Sequence, residues 1–221
     1  RSIWVTGVQT CALPISLQWL EPDWPAPCGV RAASTLRLGG VSQGGFASLN
    51  LATHVGDDAN AVAENRRRLQ AALNLSAEPA WLNQVHGIEV VEAHARSVPP
   101  AADASVSHAS NQVCVVMTAD CLPVLFCDRD ATRVGAAHAG WRGLAGGVLG
   151  ATVKALDVAP DRLLAWLGPA IEQDAFEVGD DVRQQFLARD AGDAAAFVRN
   201  ARGRWQADLY ELLYGDRKSV V

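Results

Sequence analysis

The sequence predicts an α+β fold built as a single domain. Three observations carry that prediction. Helical and strand-like segments are mixed, without the strict alternation of a doubly wound sheet. Several short runs are dense in Val and Leu and read as buried strands. Neither GxGxxG nor the GxxxxGK loop occurs, so no nucleotide-phosphate loop opens a helix.

Ala59 to Leu75 is the clearest helix, with Val62, Leu69 and Leu73 on a different face from its Arg, Gln and Glu positions. Ala80 to Val85 and Ile88 to Glu92 read as strands flanking His86-Gly87, a tight connection or bulge. Gln112 to Thr118 and Leu122 to Cys127 follow as buried strands, then Arg133 to His138. Gly143 to Leu156 reads as a short helix rich in small residues, and Leu163 to Leu167 as a strand. Asp180 to Arg189 has acids in its first turn and Arg at its end, as the helix dipole prefers. Ala207 to Leu213 is the last helix.

Both ends stand apart. Arg1 to Ser16 has no clear periodicity, and Asp216 to Val221 breaks off just after the last helix. Both read as non-native stretches. The expected organisation is an N-terminal segment, 1–28, then one domain over 29–215, then a tail, 216–221.

The 221 residues are 49% hydrophobic and 19% charged, enough apolar material for a packed core without staples. Acidic residues outnumber basic ones, 24 to 19, for a net charge of -5. A sequence-independent nucleic-acid binder needs a cationic face, and Arg66-Arg67-Arg68 is too short to supply one. No window approaches the roughly 18 apolar residues of a membrane span. The 5 cysteines are odd in number, with no CxxC pair, which favours a reducing compartment. No secretory order of basic, apolar and small residues opens the chain. The expected location is the cytoplasm, and the expected partners exclude nucleic acid and membrane.

Chemistry gathers in three segments: Asn83 to Gly87, Thr118 to Pro123 and His138 to Gly143. Each sets a metal-ligating side chain at a strand end, beside Gly or Pro. His86, Cys121 and His138 make a set of three ligands. Three protein ligands with one open position is the catalytic-zinc pattern, and closed sets of four are structural. Bound zinc would lower the pKa of a water toward neutrality.

Other readings of the same residues compete. Cys121 could be a nucleophile with His86 or His138 as its base. A blue-copper site also takes two His and one Cys, with a weak axial Met. Met117 lies four residues before Cys121 and would have to fold back to serve it. A multicopper cluster is excluded on ligand supply, because 5 histidines with no HxH pair cannot feed four coppers. Cys114 and Cys127 read as small hydrophobes inside apolar runs. His54, His94 and His108 read as surface or hydrogen-bonded residues.

Charged and polar neighbours supply candidate roles. Arg142 could grip an anion with two parallel hydrogen bonds. Asp120 could orient a ligand or act as general base. Gln84, two residues from His86, shares its side of the strand. Asn50, Arg66 and Trp141 are candidates for substrate contact, against the plainer reading of Arg66 as an exposed helix charge.

At this point a family resemblance appears. Ser48 to Leu51, His54 to Asp58, Glu64 to Arg67, the three segments above, Leu167 to Ile171 and Phe176 to Gly179 follow in order. Together they resemble the laccase-domain family, also called multicopper polyphenol oxidases or peptidoglycan editing factors, over about Gly29 to Leu213. The combination of NQVHG, TADCLP and HAGWRG carries the specificity.

The resemblance implies a four-layer α/β/β/α sandwich with mixed sheets. It implies zinc, with copper also proposed in the family, at His86, Cys121 and His138. It implies a purine nucleoside phosphorylase acting on adenosine, inosine and methylthioadenosine, with adenosine deaminase activity. Asp120, Arg142 and Gln84 would then be the catalytic set, nucleoside and phosphate the small-molecule substrates, and the state monomer or homodimer. Alternatives are a hydrolase editing peptidoglycan precursors, a polyphenol oxidase, and a non-catalytic zinc domain. Family members continue past the region of Tyr210 through a Cys-Thr segment and an Arg-rich stretch, and Asp216 to Val221 does not match them.

Overall fold

The structure, a computed structural model, describes residues 16–220, with side chains over 16–214. The expectation of a non-native stretch over Arg1 to Ser16 falls almost wholly outside those residues, whereas 216–220 of the expected tail continue the last helix. The chain divides into two compact units, one ending at Leu20 and resuming over Thr35–Asn74, the other comprising Glu21–Ser34 and the chain from Leu75 onward. Two-residue strands β1 (Trp19–Leu20) and β2 (Ser34–Thr35) stand at the boundaries.

The first unit is organised by helix α1 (Ala59–Ala72). Asp58 starts it, its carboxylate accepting from the amides of Asn60 and Ala61, a standard N-cap. Val62, Asn65 and Leu69 form the buried stripe at helical spacing. The buried Asn65 amide is saturated: its Nδ2 donates to Ser42, Ser48 and Asn50, and its Oδ1 accepts from the Val41 amide. The helix stops at Ala72, short of the expected Leu75, where Asn74 turns left-handed.

The second unit holds a mixed sheet of β3 (Val90–Glu92), β4 (Ala104–Ser107), β5 (Leu122–Asp128), β6 (Val134–Ala139) and β7 (Leu163–Leu167). Their spatial order is β3-β4-β6-β5-β7. β3 and β4 run parallel, and every other pair is antiparallel. Strand β6 is nearly all Gly and Ala apart from His138. Such small residues let a helix lie close, and Leu156 Cδ2 sits 3.5 Å from where a Cβ on Gly135 would stand.

That helix is α3 (Val148–Leu156), which follows α2 (Trp141–Gly146). The expected single helix over Gly143–Leu156 is therefore two. Gly147 breaks it with φ 93°, a left-handed turn suited to glycine, and its amide closes α2 on the carbonyls of Gly143 and Leu144.

A second sheet joins β8 (Glu177–Val178), β9 (Phe197–Arg199) and β10 (Trp205–Ala207) in the order β8-β10-β9, antiparallel. Helix α4 spans Asp180–Arg189, as expected. Helix α5 (Leu209–Val220) starts later than the expected Ala207, because Ala207 belongs to β10 and Asp208 caps the amides of Tyr210 and Glu211, and it runs past the expected Leu213. Phe186, Leu209, Leu212, Leu122 and Leu144 are at most 2% exposed within one continuous core. The α+β class and the mixed sheets of the sequence prediction are both present. No helix among the described residues is long and apolar enough to cross a membrane.

Two expected strands are not strands. Ala80–Val85 and Gln112–Thr118 make only isolated parallel bridges, Ala80 with Cys114 and Asn83 with Ala101. The Gln84 side chain supplies the reason. Its Oε1 accepts from the Met117 amide at 2.7 Å, and its Nε2 donates to the Met117 carbonyl at 2.8 Å. A side-chain amide thus takes the two groups a neighbouring strand would have taken. The expected strand Ile88–Glu92 is likewise shorter, starting at Val90.

Candidate metal centre

Strand pairing brings the site together. Leu122 pairs with Ala139 and Pro123 with His138 in the β5–β6 ladder. One step further out, Cys121 faces Gly140. Residues two apart on a strand share a face, so His138, Gly140, Cys121 and Pro123 all point the same way. Across β6, Ala104 pairs with Ala137, which brings Asp103 opposite His138. The His138 amide donates to the Asp103 carbonyl at 2.7 Å.

His86 arrives from a loop, not a strand. Its φ is 59°, left-handed and uncommon outside glycine. The Asp103 carboxylate holds the loop there, accepting from the amides of Val85 (3.1 Å), His86 (2.9 Å) and Gly87 (2.6 Å). Three successive amides converging on one anion form a backbone nest. Gly87 and Gly143 then allow close packing: a Cβ on Gly143 would lie 2.9 Å from the Gly87 carbonyl.

The ligand atoms of His86, Cys121 and His138 all lie within 4.8 Å of one another. The two imidazoles meet edge to face, with centroids 4.8 Å apart. His138 is buried, Cys121 half-buried and His86 exposed, so the cluster opens to solvent on one side. The Asp103 carboxylate also accepts a hydrogen bond from His138 Nδ1 at 2.8 Å, which leaves Nε2 as the ligating nitrogen.

Gly140 makes the space. A Cβ there would stand 2.9 Å from His86 Cδ2, 3.0 Å from Cys121 Sγ and 3.5 Å from His138 Cε1. The hollow a methyl group would fill lies among the three side chains. Two imidazoles and a thiol around such a hollow suit a borderline ion such as Zn²⁺.

The electrostatics agree with a ligand set. Burial pushes the Cys121 thiol above its ordinary value, and the charges of Asp120 and Asp103 push it the same way. An activated nucleophile needs the opposite shift. Burial lowers His138, against the pull of Asp103, which keeps the imidazole neutral and able to ligate. The nucleophile reading of Cys121 therefore loses ground.

Gln84 has both amide atoms on the Met117 backbone. Asp120 is exposed beside Cys121, with its carbonyl accepting from Ile171 at 2.8 Å. Arg142 is exposed on α2, its guanidinium 4.4 Å from the centroid of the half-buried Trp141 ring. Asn50 and Arg66 belong to the first unit. There the Asn50 amide bonds Ala52 and Asp57, and Arg66 donates to the Leu51 carbonyl. Cys127 is buried, Cys114 is half-buried, and His54, His94 and His108 are exposed, as expected.

Sequence reasoning passed over Asp103 and Gly140. Asp103 carries one weak signal, an acid set between alanines. Gly140 sits two residues after His138, hence on its face of the strand.

Fold and site together define an α+β protein with a centre of two histidines and one cysteine, open on one side. The chain belongs to the family described as multi-copper polyphenol oxidoreductase laccase, whose model matches residues 31–217. A purine nucleoside phosphorylase of Pseudomonas aeruginosa is 60% identical over 195 residues, covering 88% of this chain and 79% of that protein. The purine nucleoside phosphorylase YfiH of Escherichia coli is 53% identical, covering 87% and 79%. Among solved structures, a Neisseria meningitidis protein is similar with TM-score 0.86 and 52% identity, over 91% of this chain and 83% of its own. YlmD of Geobacillus stearothermophilus follows with 0.81 and 31%, over 91% and 81%.

Proposed function

We propose that this chain is a zinc-dependent purine nucleoside phosphorylase, cleaving adenosine, inosine or methylthioadenosine to the free base and ribose 1-phosphate, and also deaminating adenosine. The activity named for its relatives supports the phosphorylase reading. The observation that carries the metal is the convergence of His86, Cys121 and His138 around the hollow at Gly140. The donor set also favours zinc over the copper in the family's name, since one centre of three ligands matches a single borderline ion.

When bound, zinc polarises oxygen and lowers the pKa of a water toward neutrality. In phosphorolysis a phosphate oxygen bonds ribose C1′ as the C1′–N9 bond breaks, and the base leaves with that electron pair and takes a proton. Arg142 is the cation for the phosphate, a fork that matches two of its oxygens. Stacking on Trp141 stiffens that fork. The indole itself is an apolar face for a purine. Asp120, exposed next to Cys121, is the group we assign to proton transfer. Among the described residues, Cys28, Cys114, Cys121 and Cys127 are free, which suits the reducing cytoplasm.

The test is turnover of inosine with inorganic phosphate, followed by hypoxanthine and ribose 1-phosphate release. Zinc-loaded protein should release both in equal amounts and require phosphate. Absence of hypoxanthine from zinc-loaded protein would reject the phosphorylase reading. Release without phosphate would make the chain a nucleoside hydrolase.

A further inference from the structure

We propose that Asp103 is the positioning residue of this site, a single buried carboxylate that sets the His86 loop and the His138 ring in ligating geometry before any metal arrives. The inference rests on the metal-site reading above.

Asp103 is 0% exposed. A carboxylate so buried is tolerated only when its oxygens are satisfied. Here each oxygen takes two donors. Oδ1 accepts from the His86 amide and His138 Nδ1, and Oδ2 accepts from the amides of Val85 and Gly87. One anion therefore fixes two of the three ligands by different means. It holds His86 through backbone, by closing the nest that turns the residue left-handed. It holds His138 through the ring, by fixing the tautomer. Strand pairing fixes the third ligand, Cys121, beside Gly140.

The two tethers need both oxygens. An amide at position 103 offers one acceptor and turns an N–H₂ toward two donors, whichever way it is flipped. Asp103→Asn therefore breaks one pair of bonds while preserving size. Its control is Asp128→Asn. Asp128 is also buried and accepts three hydrogen bonds from Thr132 and Arg133, but it lies at the far end of β5 from Cys121.

The experiment is chelator competition for zinc, with cobalt substitution read by absorption. Wild-type protein should bind one zinc, and Asp103→Asn should lose about 10- to 100-fold in affinity. Its cobalt bands should shift, while Asp128→Asn keeps both affinity and spectrum. Equal zinc affinity and an unchanged cobalt spectrum in Asp103→Asn would overturn the inference. No zinc bound by wild-type protein would instead reject the metal-site reading. Hydrogen exchange on metal-free wild-type protein covers the case in which the variant fails to fold. Slow exchange at Val85, His86 and Gly87 supports a loop set in advance. Fast exchange that slows only on adding zinc would contradict it.

Discussion

Asp103 grips His138 at both ends: its carbonyl accepts from the His138 amide at 2.7 Å, and its carboxylate accepts from the ring Nδ1 at 2.8 Å. The backbone contact belongs to the sheet, and the ring contact belongs to the site. This double join ties a ligand's orientation to strand register. A slip of one residue would turn His138 to the opposite face.

Gly140 sets the room available to a metal. Gly140→Ala places a methyl group among three ligand side chains whose nearest atoms would lie 2.9–3.5 Å away. The backbone there is extended, φ -63°, so alanine is accepted without strain. We predict a folded variant whose zinc affinity falls by about tenfold or more, since ligand placement is disturbed. Chelator competition reads this directly, and unchanged affinity would refute the role given to Gly140.

Metal binding should release a proton. The Cys121 thiol is raised by burial and by the charges of Asp120 and Asp103, so it is protonated at neutral pH without metal. His138 is lowered by burial and already neutral. Of these two, only the thiol must lose its proton to ligate. We predict about one proton released per zinc near neutral pH, and affinity rising about tenfold per pH unit there. Calorimetry in buffers of different ionisation enthalpy measures the count. A count of zero would mean that Cys121 is not a ligand.

Asp128 offers a stability test away from the site. Burial alone would raise its carboxyl, but hydrogen bonds from Thr132 and Arg133 outweigh it and hold the group below its ordinary value. A folded pKa below the unfolded one adds stability above the unfolded pKa, and that stability is lost as pH falls through the folded pKa. Asp128→Asn should therefore cost about 1–3 kcal/mol at neutral pH. The gap between variant and wild type should narrow in acid. Urea unfolding at two pH values checks both, and a gap that widens in acid would contradict the sign.

Much of this was legible in the sequence, and the failures have physical causes. Strands β5 and β7 and helix α4 announce themselves, because apolar runs and terminal charges are local signals. Strand β4, with sequence ASVS, has too little apolar contrast to be seen. The segment around Met117 has strand-like composition, yet the Gln84 side chain replaces its partner, and no local pattern encodes that. The candidate ligand set was visible because His and Cys beside Gly or Pro stand out at the ends of apolar runs. Asp103 was not, because its function comes from strand register: it faces His138 only once β4 pairs with β6.

The central claim is that His86, Cys121 and His138 hold one metal ion. Elemental analysis of purified wild-type protein beside His138→Ala tests it most directly. We predict close to one zinc per chain in the wild type and almost none in the variant. A wild type without metal, or a variant that keeps its zinc, would contradict the claim.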